Sequence, residues 1–256
     1  MGESAHQRQT EVAALRHGLD LGMTLIDTAE MYGEGGAEIV VSEAIAHCRS
    51  SVFLVSKVYP HNATRQGTIA ACDRSLKRLK TDYLDLYLLH WRGSVPLAET
   101  LEALQGLKQA GKIREFGVSN FDADDMEEGF TLKDGGMIAT NQVLYNLSRR
   151  GVEWDLLPWC RQHRIPVMAY SPVEQGRLLK NQALQAIAQQ QGVTTAQIAI
   201  TWLLQQEQVI VIPKSSSIKH IEQNYAALNL ELSVADLEAL DAAFPPPSQR
   251  VSLEML

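Results

Sequence analysis

The feature that most constrains this chain is a regular alternation of short apolar runs with longer amphipathic stretches. The apolar runs lie at residues 24–29, 52–58, 83–90, 115–120, 139–146, 166–172 and 209–214. Each has the length of a strand and is mostly continuous, as expected for parallel strands that are covered on both faces. Because composition does not change along the chain, the alternation predicts one parallel α/β domain over residues 1–256.

Four of the amphipathic stretches carry clear helix signals. Residues 10–21 place apolar side chains on one stripe and end at Gly22, and residues 96–110 show the same periodicity. Thr194 and Ser233 precede two further periodic stretches and are predicted to be their N-caps. The chain therefore opens on a helix rather than on a strand.

A closed barrel is favoured over an open doubly wound sheet for two reasons. A dinucleotide-binding sheet should carry Gly-x-Gly-x-x-Gly after its first strand, and the early glycine cluster at residues 33–36 lacks that spacing. Polar residues also end many different strands, which is how a barrel builds its active site. These strand-end residues are Asp27, Lys57, His90, Ser119, Asn120, Gln142, Tyr170, Ser171 and Lys214.

Composition argues against several classes of function. A net charge of −7, with acidic and basic residues dispersed, disfavours a nucleic-acid partner. Cys48, Cys72 and Cys160 have neither disulfide nor zinc-ligand spacing, and each lies in an apolar, helix-like stretch that favours inert packing. The chain shows no secretory leader and no apolar stretch of about 18 residues. We therefore expect a cytoplasmic protein without a nucleic-acid or membrane partner.

The polar strand ends also indicate chemistry. Asp27 and Lys57 each end an apolar strand; alone, the first could cap a turn and the second could reach solvent, but together they predict a buried ion pair. Tyr32 follows Asp27 in the next turn, where a neighbouring ammonium favours its phenolate and makes it a general acid toward a carbonyl oxygen. A lone strand-end histidine is more often a core residue, but a neutral His90 could orient a carbonyl.

At these residues the sequence resembles the aldo-keto reductase superfamily, and the resemblance covers nearly the whole chain. The matching segments are LIDTA-x-x-YG at 25–33, SK at 56–57, DYLDLYLLHW at 82–91, GKIR-x-x-GVSNF at 111–121, NQ at 141–142, AYSP at 169–172 and IPKS at 212–215. The resemblance implies a (β/α)8 TIM barrel that reduces carbonyls with NADPH. It is nearest to bacterial reductases of methylglyoxal and similar small aldehydes.

Site residues carry over from the superfamily one by one. Tyr32 corresponds to the general acid, Asp27 and Lys57 to the pair that tunes it, and His90 to the imidazole that orients the carbonyl. The resemblance implies NADPH contacts from Ser119, Asn120, Gln142, Tyr170, Ser171, Pro172, Lys214, Ser215, His220, Gln223 and Asn224. We expect Met31 and Trp91 to line the mouth of the substrate pocket.

The site implied for the 2′-phosphate of NADPH departs from the pattern of the superfamily. His220 stands where an arginine is common, and Gln223 stands where a glutamate is common, whereas Asn224 matches. A histidine cannot supply the bidentate fork of a guanidinium. The departure predicts NADPH binding that is weaker and more sensitive to pH than the pattern would give.

Two alternatives to a reductase remain open at this point. A Schiff-base lyase on the same barrel would use Lys57 as nucleophile, but it leaves the matched nicotinamide residues unexplained. A non-catalytic NADPH-binding regulatory or redox-sensing subunit of the same superfamily would bind cofactor without turnover, and the intact set of four catalytic residues weighs against it. We expect a monomer or a weak oligomer.

The number of predicted strands is seven, one fewer than the barrel of the superfamily contains. The N-terminal hairpin and first strand typical of the superfamily are not found before residue 24, and the stretch after Pro172 is short for the loop that covers the cofactor. Either the chain lacks these parts, or segments at the start and near Val173 are left out of the sequence. We expect the second, because a missing strand would leave two sheet edges unpaired.

Overall fold

Strands form at all seven of the predicted apolar runs. The computed structural model describes residues 1–256, and its strands are β1 Leu25–Asp27, β2 Phe53–Val58, β3 Leu84–Leu89, β4 Ile113–Ser119, β5 Ile138–Leu144, β6 Val167–Tyr170 and β7 Val209–Ile212. Their ends differ from the predicted ends by at most two residues. The continuous apolar runs are explained by burial: every residue of β3, for example, is buried.

Helices fill the segments between the strands, and all four predicted helices are present. The ten α-helices are α1 Arg8–Asp20, α2 Gly36–Ala44, α3 Arg65–Leu79, α4 Leu97–Gln109, α5 Ala123–Thr131, α6 Leu156–His163, α7 Gln182–Gln191, α8 Thr195–Leu204, α9 Ile218–Ala226 and α10 Val234–Ala243. Thr194 and Ser233 cap α8 and α10 in capping boxes, as predicted. None of the ten has both the length and the apolar character that a membrane crossing requires.

The chain forms two units, of which the first holds Met1–Thr140 and Ser215–Ile221. In this unit β1 pairs with β2, β2 with β3 and β3 with β4, all in parallel. The register sets Asp27 opposite Val55 and Lys57 opposite Leu88. Because parallel strands all end at the same edge, the polar residues that end β1, β2 and β3 are brought close together.

The second unit holds Asn141–Lys214 and Glu222–Leu256. Its strands β5, β6 and β7 also pair in parallel, with Tyr170 opposite both Leu144 and Ile212. Near the end of the chain, Arg250 forms an ion pair with Asp155 at 2.7 Å.

The three cysteines differ in their surroundings. Cys72 on α3 and Cys160 on α6 are buried, and burial raises the pKa of each thiol to about 12. Both therefore stay protonated and unreactive, as predicted. The helical placement is wrong for Cys48, which is half-buried in the turn before Arg49, because α2 ends at Ala44.

Candidate active site

A sharp turn presents Tyr32 directly after β1. The 3-10 turn Tyr32–Gly35 contains three successive residues in the left-handed region, with φ values of 57° at Gly33, 53° at Glu34 and 88° at Gly35. A Cβ atom at Gly35 would also lie 2.6 Å from the Cδ atom of Arg78 and would displace that side chain, and the φ of 88° already favours glycine there. The glycine cluster at residues 33–36 therefore shapes a turn at the site.

The ammonium group of Lys57 is the centre of the site. Its Nζ atom donates to Asp27 Oδ2 at 2.6 Å, to the Thr28 carbonyl oxygen at 2.9 Å and to the Tyr32 hydroxyl at 3.3 Å. The Lys57 side chain is fully buried, so these three acceptors match its three N–H donors in place of water. The predicted ion pair is present, and the Thr28 carbonyl is a partner that the sequence did not reveal.

The charge of Lys57 is stable despite its burial. Burial alone would lower the pKa of this amine, but Asp27 and Tyr32 act in the opposite direction, by attraction and by hydrogen bonding. The net result is a Lys57 pKa above its ordinary value. Lys57 therefore remains an ammonium ion next to the phenol.

His90 faces Tyr32 and is neutral. The two rings meet edge to face, with centroids 5.5 Å apart. Burial, followed by repulsion from the charge of Lys57, lowers the pKa of His90 to about 3. Its buried Nδ1 atom has no hydrogen-bond partner. A neutral imidazole can donate from one ring nitrogen and accept at the other, which is the state predicted for orienting a carbonyl.

The low pKa of His90 predicts a loss of stability in mild acid. The unfolded chain takes up a proton at an ordinary pKa of 6.5, whereas the folded chain does so only near 3. Stability is therefore complete above pH 6.5 and declines as the pH falls toward 3. Between pH 7 and pH 5 we expect His90 to account for a loss of about 2 kcal/mol in the free energy of unfolding.

Urea denaturation at pH 7 and pH 5 gives the free energy of unfolding of wild type and of His90→Asn. The variant should lose about 2 kcal/mol less than the wild type between the two pH values. The exposed His61 provides the matched control, since His61→Asn should retain the wild-type dependence on pH. An unchanged pH dependence in His90→Asn would show that His90 is not held neutral by the fold.

Asn120 and the aromatic residues around His90 complete the group of predicted site residues in the first unit. Asn120 has a φ of 57°, and its amide donates to the His90 carbonyl oxygen at 3.1 Å and to Ser119 Oγ at 3.2 Å. Trp91 packs 4.9 Å from His90, centroid to centroid, whereas Met31, beside Tyr32 in sequence, is 40% exposed. The Tyr59 ring, 5.0 Å from Trp91, is a neighbour that the sequence did not single out.

The second unit contains the remaining predicted residues of the nicotinamide site. Gln142 on β5 is buried, with its amide nitrogen 3.9 Å from the sulfur of Met168. Tyr170 ends β6, and Ser171 follows with a φ of 52°. The Ser171 carbonyl oxygen accepts from the buried amide of Asn146 at 2.9 Å, which holds the chain just before Pro172.

The predicted phosphate-binding residues follow β7. Lys214 is exposed, and Ser215 Oγ accepts from the backbone N–H of Ser217 at 3.0 Å, in the turn that begins α9. His220 lies exposed in the first turn of α9. Gln223 and Asn224, also on α9, are half-buried.

Comparison with known proteins gives matches along the whole chain. The sequence model of the Aldo/keto reductase family matches residues 1–244. Methylglyoxal reductase YeaE of Escherichia coli (strain K12) is 55% identical over 261 residues, which cover 100% of this chain and 92% of that protein. Glyoxal reductase of Bacillus subtilis (strain 168) is 39% identical, over 86% of this chain and 79% of that protein.

A solved structure is also similar to this chain over its whole length. An aldo/keto reductase from Klebsiella pneumoniae, crystallised in complex with NADP and acetate, is 52% identical and has a TM-score of 0.98. The match covers 100% of this chain and 92% of that chain. This similarity confirms the predicted fold class, an α/β barrel of the TIM type.

Proposed function

Because the chain belongs to the aldo/keto reductase family, we propose that it reduces small aldehydes and ketones with NADPH, with methylglyoxal as the foremost substrate. The observation that carries the proposal is the position of Lys57, whose buried ammonium bonds both Asp27 and the Tyr32 hydroxyl. Lysine is almost never fully buried unless its charge is paired. The relatives named for methylglyoxal and glyoxal support the substrate class.

Tyr32 is the proton donor in the proposed reaction. Its hydroxyl gives a proton to the carbonyl oxygen, and the negative charge left on the phenol is stabilised by the Lys57 ammonium 3.3 Å away. Asp27 keeps that ammonium in place with a 2.6 Å hydrogen bond. Thr28 holds it from a third direction through its backbone carbonyl.

His90 orients the carbonyl in this proposal. Because its pKa is about 3, the imidazole is neutral at physiological pH and directs a dipole at the substrate oxygen without competing as an acid. Asn120 fixes the backbone of His90 through the 3.1 Å bond to its carbonyl oxygen. Because His90 is neutral, proton transfer is left to Tyr32.

The donor set fits a nicotinamide dinucleotide phosphate. In the first unit, Ser119 and Asn120 provide a hydroxyl and an amide of the kind that pairs with a carboxamide. In the second unit, Gln142 provides a further amide and Tyr170 a ring face. Lys214, Ser215 and the first turn of α9 provide a cation, a hydroxyl and backbone N–H groups, which together suit a phosphate. When bound, NADPH supplies the hydride that reduces the carbonyl carbon.

His220 makes NADPH affinity depend on pH in this proposal. An imidazole gains its charge only as the pH falls, whereas an arginine is always charged and binds phosphate with two parallel hydrogen bonds. We expect His220→Arg to tighten NADPH binding about tenfold at pH 8 and to flatten its pH dependence. Fluorescence titrations with NADPH and NADH at pH 6 and pH 8 measure the effect, and equal NADH binding throughout would contradict a 2′-phosphate site.

The proposed activity is tested by following NADPH consumption against a panel of small carbonyls that includes methylglyoxal. We expect turnover with α-dicarbonyls and simple aldehydes, and no turnover when the carbonyl is replaced by its alcohol. Tight NADPH binding without consumption on any carbonyl would contradict the proposal. That result would instead indicate the regulatory subunit considered from the sequence.

A further inference from the structure

Glu30, which the proposed mechanism does not use, lies between Asp27 and Tyr32 in the sequence and carries a largely buried carboxylate. Its side chain is only 8% exposed. One carboxylate oxygen accepts from the backbone N–H of Tyr59 at 2.9 Å and from the side-chain amide of Asn62 at 3.0 Å. The other accepts from Arg74 at 3.2 Å, and Arg74 is half exposed. Glu30 is thus directed mainly at the turn that follows β2.

That turn presents aromatic side chains toward His90. Tyr59 stands next to the 3-10 turn Pro60–Asn62, and its ring lies 4.3 Å from the His61 ring, 5.0 Å from Trp91 and 6.5 Å from His90, centroid to centroid. The Glu30 bonds are made at both ends of this turn, to Tyr59 and to Asn62. Moving the carboxylate would therefore move the Tyr59 ring relative to His90 and Trp91.

We propose that Glu30 is a positioning residue that sets the distance between the Tyr59 ring and His90, and so determines which carbonyls the enzyme accepts. The inference rests on the proposed function, because it concerns the pocket into which the carbonyl is placed. Glu30 lies two residues before the proton donor Tyr32, but its carboxylate bonds run to the turn that carries Tyr59. Its effect is expected on substrate binding rather than on proton transfer.

A small carbonyl depends on this positioning more than a large aromatic one does. Methylglyoxal offers few atoms of its own to pack, so a displaced Tyr59 ring leaves it loosely held. An aromatic aldehyde such as 4-nitrobenzaldehyde can stack on a shifted ring and tolerates a wider pocket. Loss of Glu30 should therefore act selectively against the smaller substrate.

The test measures kcat and KM for methylglyoxal and 4-nitrobenzaldehyde at saturating NADPH in Glu30→Ala and Glu30→Gln. In Glu30→Ala we expect KM for methylglyoxal to rise about tenfold with kcat changed less than about twofold, and KM for 4-nitrobenzaldehyde to stay nearly constant. Glu30→Gln keeps one oxygen acceptor for Tyr59 and Asn62, so it should restore most of the selectivity.

Controls separate this effect from a general loss of structure. Glu102→Gln removes an exposed carboxylate that pairs with Arg65, and it should change neither KM. If Glu30→Ala does not fold, Asn62→Ala removes one of the two bonds at the turn and should raise KM for methylglyoxal by a smaller factor. An equal loss for both substrates, or a fall in kcat alone, would overturn the positioning role. A wild type that reduces neither carbonyl would overturn the proposed function itself.

Discussion

Replacing Tyr32 with phenylalanine is expected to lower kcat for carbonyl reduction by about 10²–10⁴-fold, the usual contribution of a general acid. The variant keeps the ring that packs edge to face against His90 and loses only the hydroxyl bonded to Lys57. NADPH affinity should therefore change by less than about twofold, because the loss falls on the transition state. Steady-state turnover of methylglyoxal and a fluorescence titration with NADPH measure the two quantities.

Tyr83→Phe is the matched control for this experiment. It removes a hydroxyl from a half-buried tyrosine of the same unit, whose ring packs between Arg49 and Arg114 and takes no part in the site. Turnover in this control should equal that of the wild type. If Tyr32→Phe retained more than about a tenth of the wild-type kcat, another group would have to donate the proton.

Lys57→Met is expected to reduce both stability and turnover. The substitution preserves much of the side-chain volume but leaves the Asp27 carboxylate, only 13% exposed, without its cation. Leaving one member of a buried ion pair alone costs about 3–5 kcal/mol in the free energy of unfolding. The phenol also loses the charge that stabilises its anion, which should lower kcat at least about a hundredfold.

A double variant separates these two losses. Asp27→Asn combined with Lys57→Met removes both charges, so urea denaturation should show most of the lost stability restored. Turnover should remain low, because no ammonium faces the Tyr32 hydroxyl in either variant. If turnover returned together with stability, Lys57 would have a structural role only.

Much of the fold could be predicted because a strand buried on both faces must be apolar along its length. That requirement is visible in a short stretch of sequence. The same is true of the N-caps Thr194 and Ser233, whose signal lies within four residues of sequence. The strand ends were less accurate. The predicted strand at 166–172 includes Pro166 and Pro172, which lack a backbone N–H, and β6 forms only at Val167–Tyr170.

In the site, the ion pair of Asp27 and Lys57 could be predicted because two buried charges require each other. Other partners depend on contacts between residues far apart in the chain and leave no local pattern. Glu30 meets the turn at Tyr59, 29 residues away, and Glu38 accepts from Ser56 on β2, 18 residues away. The helix predicted around Cys48 does not form, because α2 ends at Ala44. Apolar neighbours occur in a turn as well as in a helix, so they do not reveal where a helix ends.

The burial of Lys57 also bears on how the site would withstand the dicarbonyl substrate proposed for it. Free amines add to reactive dicarbonyls and are consumed as covalent adducts, a reaction that requires an unprotonated nitrogen with a free lone pair. Lys57 has a raised pKa, no exposed surface and an acceptor for each of its hydrogens. In the proposed reaction, a carbonyl bound beside Lys57 would meet a cation without a lone pair. We therefore expect the hydrogen bonds that prepare Tyr32 also to protect the lysine from glycation.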